Sequence, residues 1–206
     1  MKVLMINGSP HAKGTTFGAL TKIGEELNLL GVDYEILHVG NKNVSGCIAC
    51  GGCSKTGRCV VDGDFVNSVI EKIENSDGLI IGTPVYYAGI NGTLKSLLDR
   101  VFYARKGFAN KPASSIAVAR RAGTTATLEI INKYFMISSM PVISSTYWNM
   151  VFGSNANDIE KDLEGLQTMK NLARNMAYVI KSFKIAKENG LEEPKLDRVE
   201  RTNFIK

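Results

Sequence analysis

The chain has 206 residues, 44% of them hydrophobic and 22% charged, with 25 Lys and Arg against 20 Asp and Glu. That length suits one globular domain, 1–206, large enough for a core between two helical layers. A net charge of +5 without basic clusters argues against a nucleic-acid surface. No apolar run is long enough to cross a membrane, and the N-terminus reads as a strand rather than a signal peptide, so the expected compartment is cytoplasmic.

Lys2 to Ile6 is a short, almost wholly apolar run, the pattern of a strand covered on both faces. Asn7 to Gly14 supplies turn residues. Thr15 begins a helical period with Leu20, Ile23, Leu27 and Leu30 on one face, and Gly31 ends it. A strand, a small-residue loop and a helix N-terminus together make an anion site, because free backbone N–H groups and the positive end of the helix dipole face the loop. Ser9, Thr15 and Thr16 add hydroxyls, so the loop reads as a phosphate site. It has neither the dinucleotide fingerprint nor the P-loop spacing, and Thr15 stands where a P-loop Lys would be. An ordinary βα turn is the plainer alternative, set against the run of hydroxyl and Gly residues.

Asp33 to Val39 reads as a second strand, and Gly40 to Gly63 as a long connection without a period. Such a connection inside a compact domain is usually functional. Asp64 is expected to cap a helix with Phe65, Val69, Ile70 and Ile73 on its buried side. Gly78 to Thr83 is a third strand, Pro84 to Gly89 a loop, and Ile90, Leu94, Leu97, Leu98 and Val101 mark a helix. Ala113 to Ala119 is a fourth strand, followed by the polar turn Arg120 to Thr125 and a helix carrying Leu128, Ile131 and Phe135. Met140 to Ser144 is expected as the fifth strand. Ser145 to Ala156 is a second long loop, holding Trp148. A final helix runs from about Asp158 to Gly190, and 191–206 reads as a charged tail or an arm on a partner.

Five strands, each followed by a helix, imply a doubly wound parallel sheet with helices on both faces. In such sheets the ligand sits at the carboxyl ends of the strands, so the loops at Ser9, Pro84 and Arg120 should converge. Pro84-Val85-Tyr86-Tyr87-Ala88-Gly89 joins a rigid Pro, two aromatics and small residues, a loop able to lie flat against a planar ring. A phosphate at one loop and a flat ring at the next fit flavin mononucleotide (FMN).

All four cysteines fall in Cys47-x2-Cys50-x2-Cys53-x5-Cys59. Thiolates at this compact spacing resemble the ferredoxin arrangement around a [4Fe–4S] cluster, and Gly46, Gly51 and Gly52 permit the backbone angles that such wrapping needs. Structural zinc usually takes two well-separated C-x2-C knuckles, and disulfides are rare in cytosolic chains. Free thiols, a redox disulfide and zinc remain the alternatives.

These residues resemble the flavodoxin-like NADPH-dependent FMN reductase superfamily, and within it the iron–sulfur flavoproteins. The likeness is carried by Gly8-Ser9-Pro10 through Thr16, by Thr83-Pro84-Val85-Tyr86-Tyr87 with Leu94, Lys95, Asp99 and Arg100 after it, and by the cysteines. It implies a flavodoxin-like five-stranded α/β fold. It places Ser9, His11, Gly14, Thr15 and Thr16 at the FMN phosphate, Pro84 to Gly89 along the isoalloxazine, and Arg120, Arg121 and Gly123 near the ring. Family members often have Arg where His11 stands and Asn where Thr15 stands. The likeness also implies a [4Fe–4S] cluster on Cys47, Cys50, Cys53 and Cys59, and a homodimer or homotetramer.

The expected function is an oxidoreductase passing electrons between FMN and the cluster, with the flavin rather than a catalytic side chain carrying the chemistry. NAD(P)H, another small redox molecule or a ferredoxin-like protein would be donor or acceptor. Two other readings share the flavin site: a cluster-free NAD(P)H-dependent FMN or quinone reductase, and an FMN-binding carrier or regulator without turnover.

Overall fold

In the computed structural model, which describes residues 1–105, 107–197, 200, 202 and 204, strand β1 (Lys2–Asn7) divides its side chains between two cores. Val3 and Met5 join one apolar cluster, and Leu4 and Ile6 join the other. This is the period of two expected of a strand buried on both faces. On the first face lie helix α1 (Thr15–Leu29) and the long helix α6 (Leu163–Glu188), whose Ile23, Leu27, Met169, Leu172 and Met176 are fully buried. On the second lie α3 (Val66–Glu74), α4 (Gly92–Ala104) and the inner side of α5 (Thr124–Ile137). Each large apolar side chain so buried contributes about 1.5–3 kcal/mol.

The other strands are β2 (Asp33–His38), β3 (Gly78–Pro84), β4 (Ala113–Ala119) and β5 (Met150–Phe152). All pair in parallel, in the order β2-β1-β3-β4-β5. That is the flavodoxin-like order, in which the chain reverses its direction of travel between β1 and β3 and opens a crevice at their carboxyl ends. Among the described residues, no helix is long and apolar enough to cross a membrane.

Two sequence expectations need correcting. Met140 to Ser144 is not the fifth strand: Val142 makes only a single bridge to Ala113, and Ile143 N donates to Ala113 O at 2.8 Å. The chain then swings out and returns at Asn149, whose carbonyl accepts from Ala117 N at 2.9 Å, and β5 follows. The last helix starts later than Asp158. A 3-10 turn (Ala156–Lys161) comes first, closed by a reciprocal Asn155–Asp158 capping box. The expected tail at 191–206 falls partly outside the described residues, at 198, 199, 201, 203, 205 and 206.

Candidate FMN and cysteine sites

The loop after β1 is braced from three sides. Gly8 N donates to Gly82 O at 2.8 Å, tying it to β3. The Asn7 side chain accepts from Ser9 N at 3.0 Å and donates to Ala12 O at 3.1 Å, which folds the turn back on itself. His38 Nε2 meets Ser9 O at 2.8 Å, so this histidine is a structural brace. Ser9 is buried, and its hydroxyl accepts from His11 N at 3.2 Å, whereas the His11 side chain is exposed.

Helix α1 then begins with Gly14 as N-cap, and no side chain closes its first turn. By contrast, Asn91 Oδ1 accepts from Thr93 N and Leu94 N at the start of α4, and Asp162 Oδ1 accepts from Gly165 N at the start of α6. The first amides of a helix have no intrahelical acceptor. At α1 they face the crevice, with Thr15 half-buried and Thr16 only 1% exposed beside them. Helix α5 likewise starts from a glycine, Gly123, with no side-chain cap. Both open N-termini stand at the carboxyl edge of the sheet.

The second and third loops meet there. Val85 N donates to Val118 O at 2.7 Å and Tyr86 N to Gly89 O at 2.8 Å, making a tight turn that turns Tyr87 fully outward, 99% exposed. Gly123 holds φ +92°, and a Cβ there would stand 2.9 Å from Val85 Cγ1, so the loops carrying Val85 and Gly123 touch. Arg120 and Arg121 are exposed on the same turn. At the far side, a Cβ on Gly153 would lie 3.1 Å from Thr15 Cγ2, which puts the end of β5 against the first turn of α1. The loops at Ser9, Pro84 and Arg120 therefore share one edge, as the sequence implies, and Gly153 joins them. The unblocked amides of α1 and the glycine-lined approach suit an FMN phosphate, and the rim formed by Val85 and Tyr86 suits a flat ring.

The cysteine segment leaves the same edge. Gly40 packs so closely on the loop after β1 that a Cβ would sit 2.0 Å from Ser9 O. The chain then crosses to α4, where Cys47, Cys50, Cys53 and Cys59 line one pocket together with Arg100 and Tyr103. A one-turn helix, α2 (Cys53–Thr56), carries Cys53, whose sulfur lies 4.0 Å from Tyr103 O. Cys47 and Cys50 are exposed, and Cys53 and Cys59 half-buried. Among the described residues, no three His, Cys, Asp or Glu groups converge closely enough for a single metal ion.

Sequence reasoning missed the side chain at the centre of this pocket. Arg100 is 2% exposed and donates from Nε and Nη2 to Cys59 Sγ at 3.3 and 3.2 Å. It also pairs with Asp64 and donates to Val61 O at 3.0 Å and to Ser45 Oγ at 3.3 Å. Burial opposes its charge, but hydrogen bonds to Asp64 and Cys59 hold the guanidinium above the ordinary arginine range. Asp64, expected only as a helix cap, accepts from Val66 N at 3.1 Å, yet its second oxygen serves Arg100. Asn67 fixes the Cys59 backbone in both directions, at 2.8 Å each. No local pattern marked them: Asp99, beside Arg100 in sequence, turns away to Lys95 and Tyr134.

The sequence pattern of the NADPH-dependent FMN reductases matches residues 1–155, three quarters of the chain, and spans both this edge and the cysteine pocket. The chain belongs to the NADPH-dependent FMN reductase family. It is a flavin-dependent oxidoreductase, and FMN is its cofactor. An iron–sulfur flavoprotein of Methanocaldococcus jannaschii is 34% identical over 197 residues, covering 89% of this chain and all of that one. An iron–sulfur flavoprotein of Methanosarcina thermophila is 33% identical, covering 87% of this chain and 95% of that one. A flavodoxin from the Archaea has the same fold, with a TM-score of 0.60 at 13% identity, covering 88% of this chain and 99% of that one.

Proposed function

We propose that this family member passes electrons between FMN at the carboxyl edge of the sheet and a [4Fe–4S] cluster on Cys47, Cys50, Cys53 and Cys59. The observation that carries this is the gathering of all four thiols on one pocket beside a buried cation. The donor set is all sulfur, and soft thiolate ligands favour iron–sulfur clusters or zinc. A four-iron cube offers its irons at separate corners, so its thiolates need not converge on one point. Thiols that share a pocket without forming a single-ion ligand set are compatible with that shape.

FMN supplies two-electron chemistry and can release electrons singly, while a cluster carries one at a time. The chain's residues bind and orient. The α1 amides, with Thr15 and Thr16, would hold the phosphate, and Pro84 to Gly89 would flank the ring, with Arg120 and Arg121 at its approach. Arg100 supports the cysteine pocket. NAD(P)H or a ferredoxin-like protein would supply or remove electrons, and a homodimer or homotetramer, read by light scattering, belongs to the same proposal.

Substituting one cysteine separates the two cofactors. Cys50→Ser should lose iron while FMN stays bound, and equal iron in variant and wild type would sink the cluster. The family's NADPH-dependent name favours one competing reading, a cluster-free reductase. Rapid bleaching of the flavin by NADPH in iron-free protein would support that reading instead.

A further inference from the structure

We infer that Arg100, held by Asp64, is a positioning residue that places the Cys59 sulfur and raises the reduction potential of a cluster bound in the cysteine pocket. The inference rests on the cluster reading above. Three observations and their electrostatic consequence carry it.

Arg100 spans the whole cysteine segment from a single point on α4. Its contacts reach Ser45 before the first cysteine, Cys59 itself, and Val61 and Asp64 after the last. The guanidinium fork makes this possible, because five N–H donors in one plane can serve a carboxylate, a carbonyl and a sulfur together. A lysine has the charge without that geometry.

The pair with Asp64 explains how the charge survives burial. An isolated buried cation is strongly unfavourable, whereas a hydrogen-bonded pair is tolerated. The Arg100 and Asp64 side chains are 1% and 10% exposed.

Cys59 is the best-fixed of the four ligands. Its sulfur takes two N–H donors from Arg100, and its backbone N–H and carbonyl are both bound by Asn67. Cys47 and Cys50 are exposed. The pocket thus offers one corner already in place.

The electrostatic consequence has a definite sign. Hydrogen bonds to the sulfurs and the local net charge set the potential of an iron–sulfur centre. Reduction adds negative charge, which N–H donors and a nearby cation stabilise, so Arg100 raises the potential. The Asp64 carboxylate works against that rise.

The test is a redox titration, followed by electron paramagnetic resonance, of anaerobically reconstituted wild type, Arg100→Lys and Asp64→Asn, each with iron and FMN counted. The expected result is iron in all three, with the potential lower in Arg100→Lys and higher in Asp64→Asn. A side chain that only packs would not shift the two variants in opposite directions. Wild type that takes up no iron overturns the cluster reading. Iron in the wild type with equal potentials in all three proteins, or with both variants moved the same way, overturns this inference alone. If Arg100→Lys fails to hold FMN, Asp64→Asn decides: its potential must rise, and an unchanged or lower value overturns the inference.

Discussion

Gly40 and Ser9 pack backbone to backbone: a Cβ on Gly40 would stand 2.0 Å from the Ser9 carbonyl oxygen. The start of the cysteine segment is therefore pressed against the loop that would hold the FMN phosphate. Gly40→Ala must push one of the two aside. Overpacking of this kind costs about 1–3 kcal/mol. The variant should melt lower and bind FMN roughly 5- to 100-fold more weakly, at about 1.4 kcal/mol per decade. Calorimetry and a flavin-binding titration check both. Unchanged FMN affinity would separate this contact from the flavin site.

The open first turn of α1 predicts a preference for the phosphorylated flavin. Hydrogen bonds to a charged group contribute about 1.5–3 kcal/mol each, so losing one or two corresponds to roughly 10–100-fold or more. Riboflavin, which lacks the phosphate, should bind weaker than FMN by about that factor. Equal affinity for the two would move the phosphate away from Gly14 and Thr15.

Tyr134 supplies a pH test outside both sites. Burial first, and then a hydrogen bond donated to Asp99, push its phenol from the ordinary 10.0 up to about 12, with Lys95 working the other way. A pKa raised by folding favours the protonated form in the native state. The stability it contributes is full below pH 10 and is lost as pH rises through about 12. Tyr134→Phe should therefore be less stable than wild type at pH 8, and the gap should narrow above pH 10. Urea unfolding at several pH values measures this, and a gap independent of pH would contradict it.

The parts legible in the sequence were those with a local signature. Alternation and apolar runs placed β1, β3 and β4 within a residue or so, and the order of strands and helices implied the sheet. Cysteine spacing marked the pocket because all four cysteines lie on one segment. The edge strand was misplaced because it is three residues long with a single fully buried side chain, Val151, while the more apolar Met140–Ser144 run pairs with β4 only at Ala113. Arg100 was unreadable as a site residue for a different reason. Its partners Asp64 and Cys59 lie 36 and 41 residues away, and only the packing of the cysteine segment on α4 brings them together. A charged residue on a helix otherwise reads as a solvated face, and burial is what reverses that reading.

Iron and flavin content of protein purified without oxygen, with visible spectra before and after reduction, tests the central claim most directly. One FMN and about four irons per chain is the expected result, with iron lost and flavin kept in Cys50→Ser. Flavin without iron, persisting after reconstitution with iron and sulfide, would contradict electron transfer through a cluster and leave a flavin reductase.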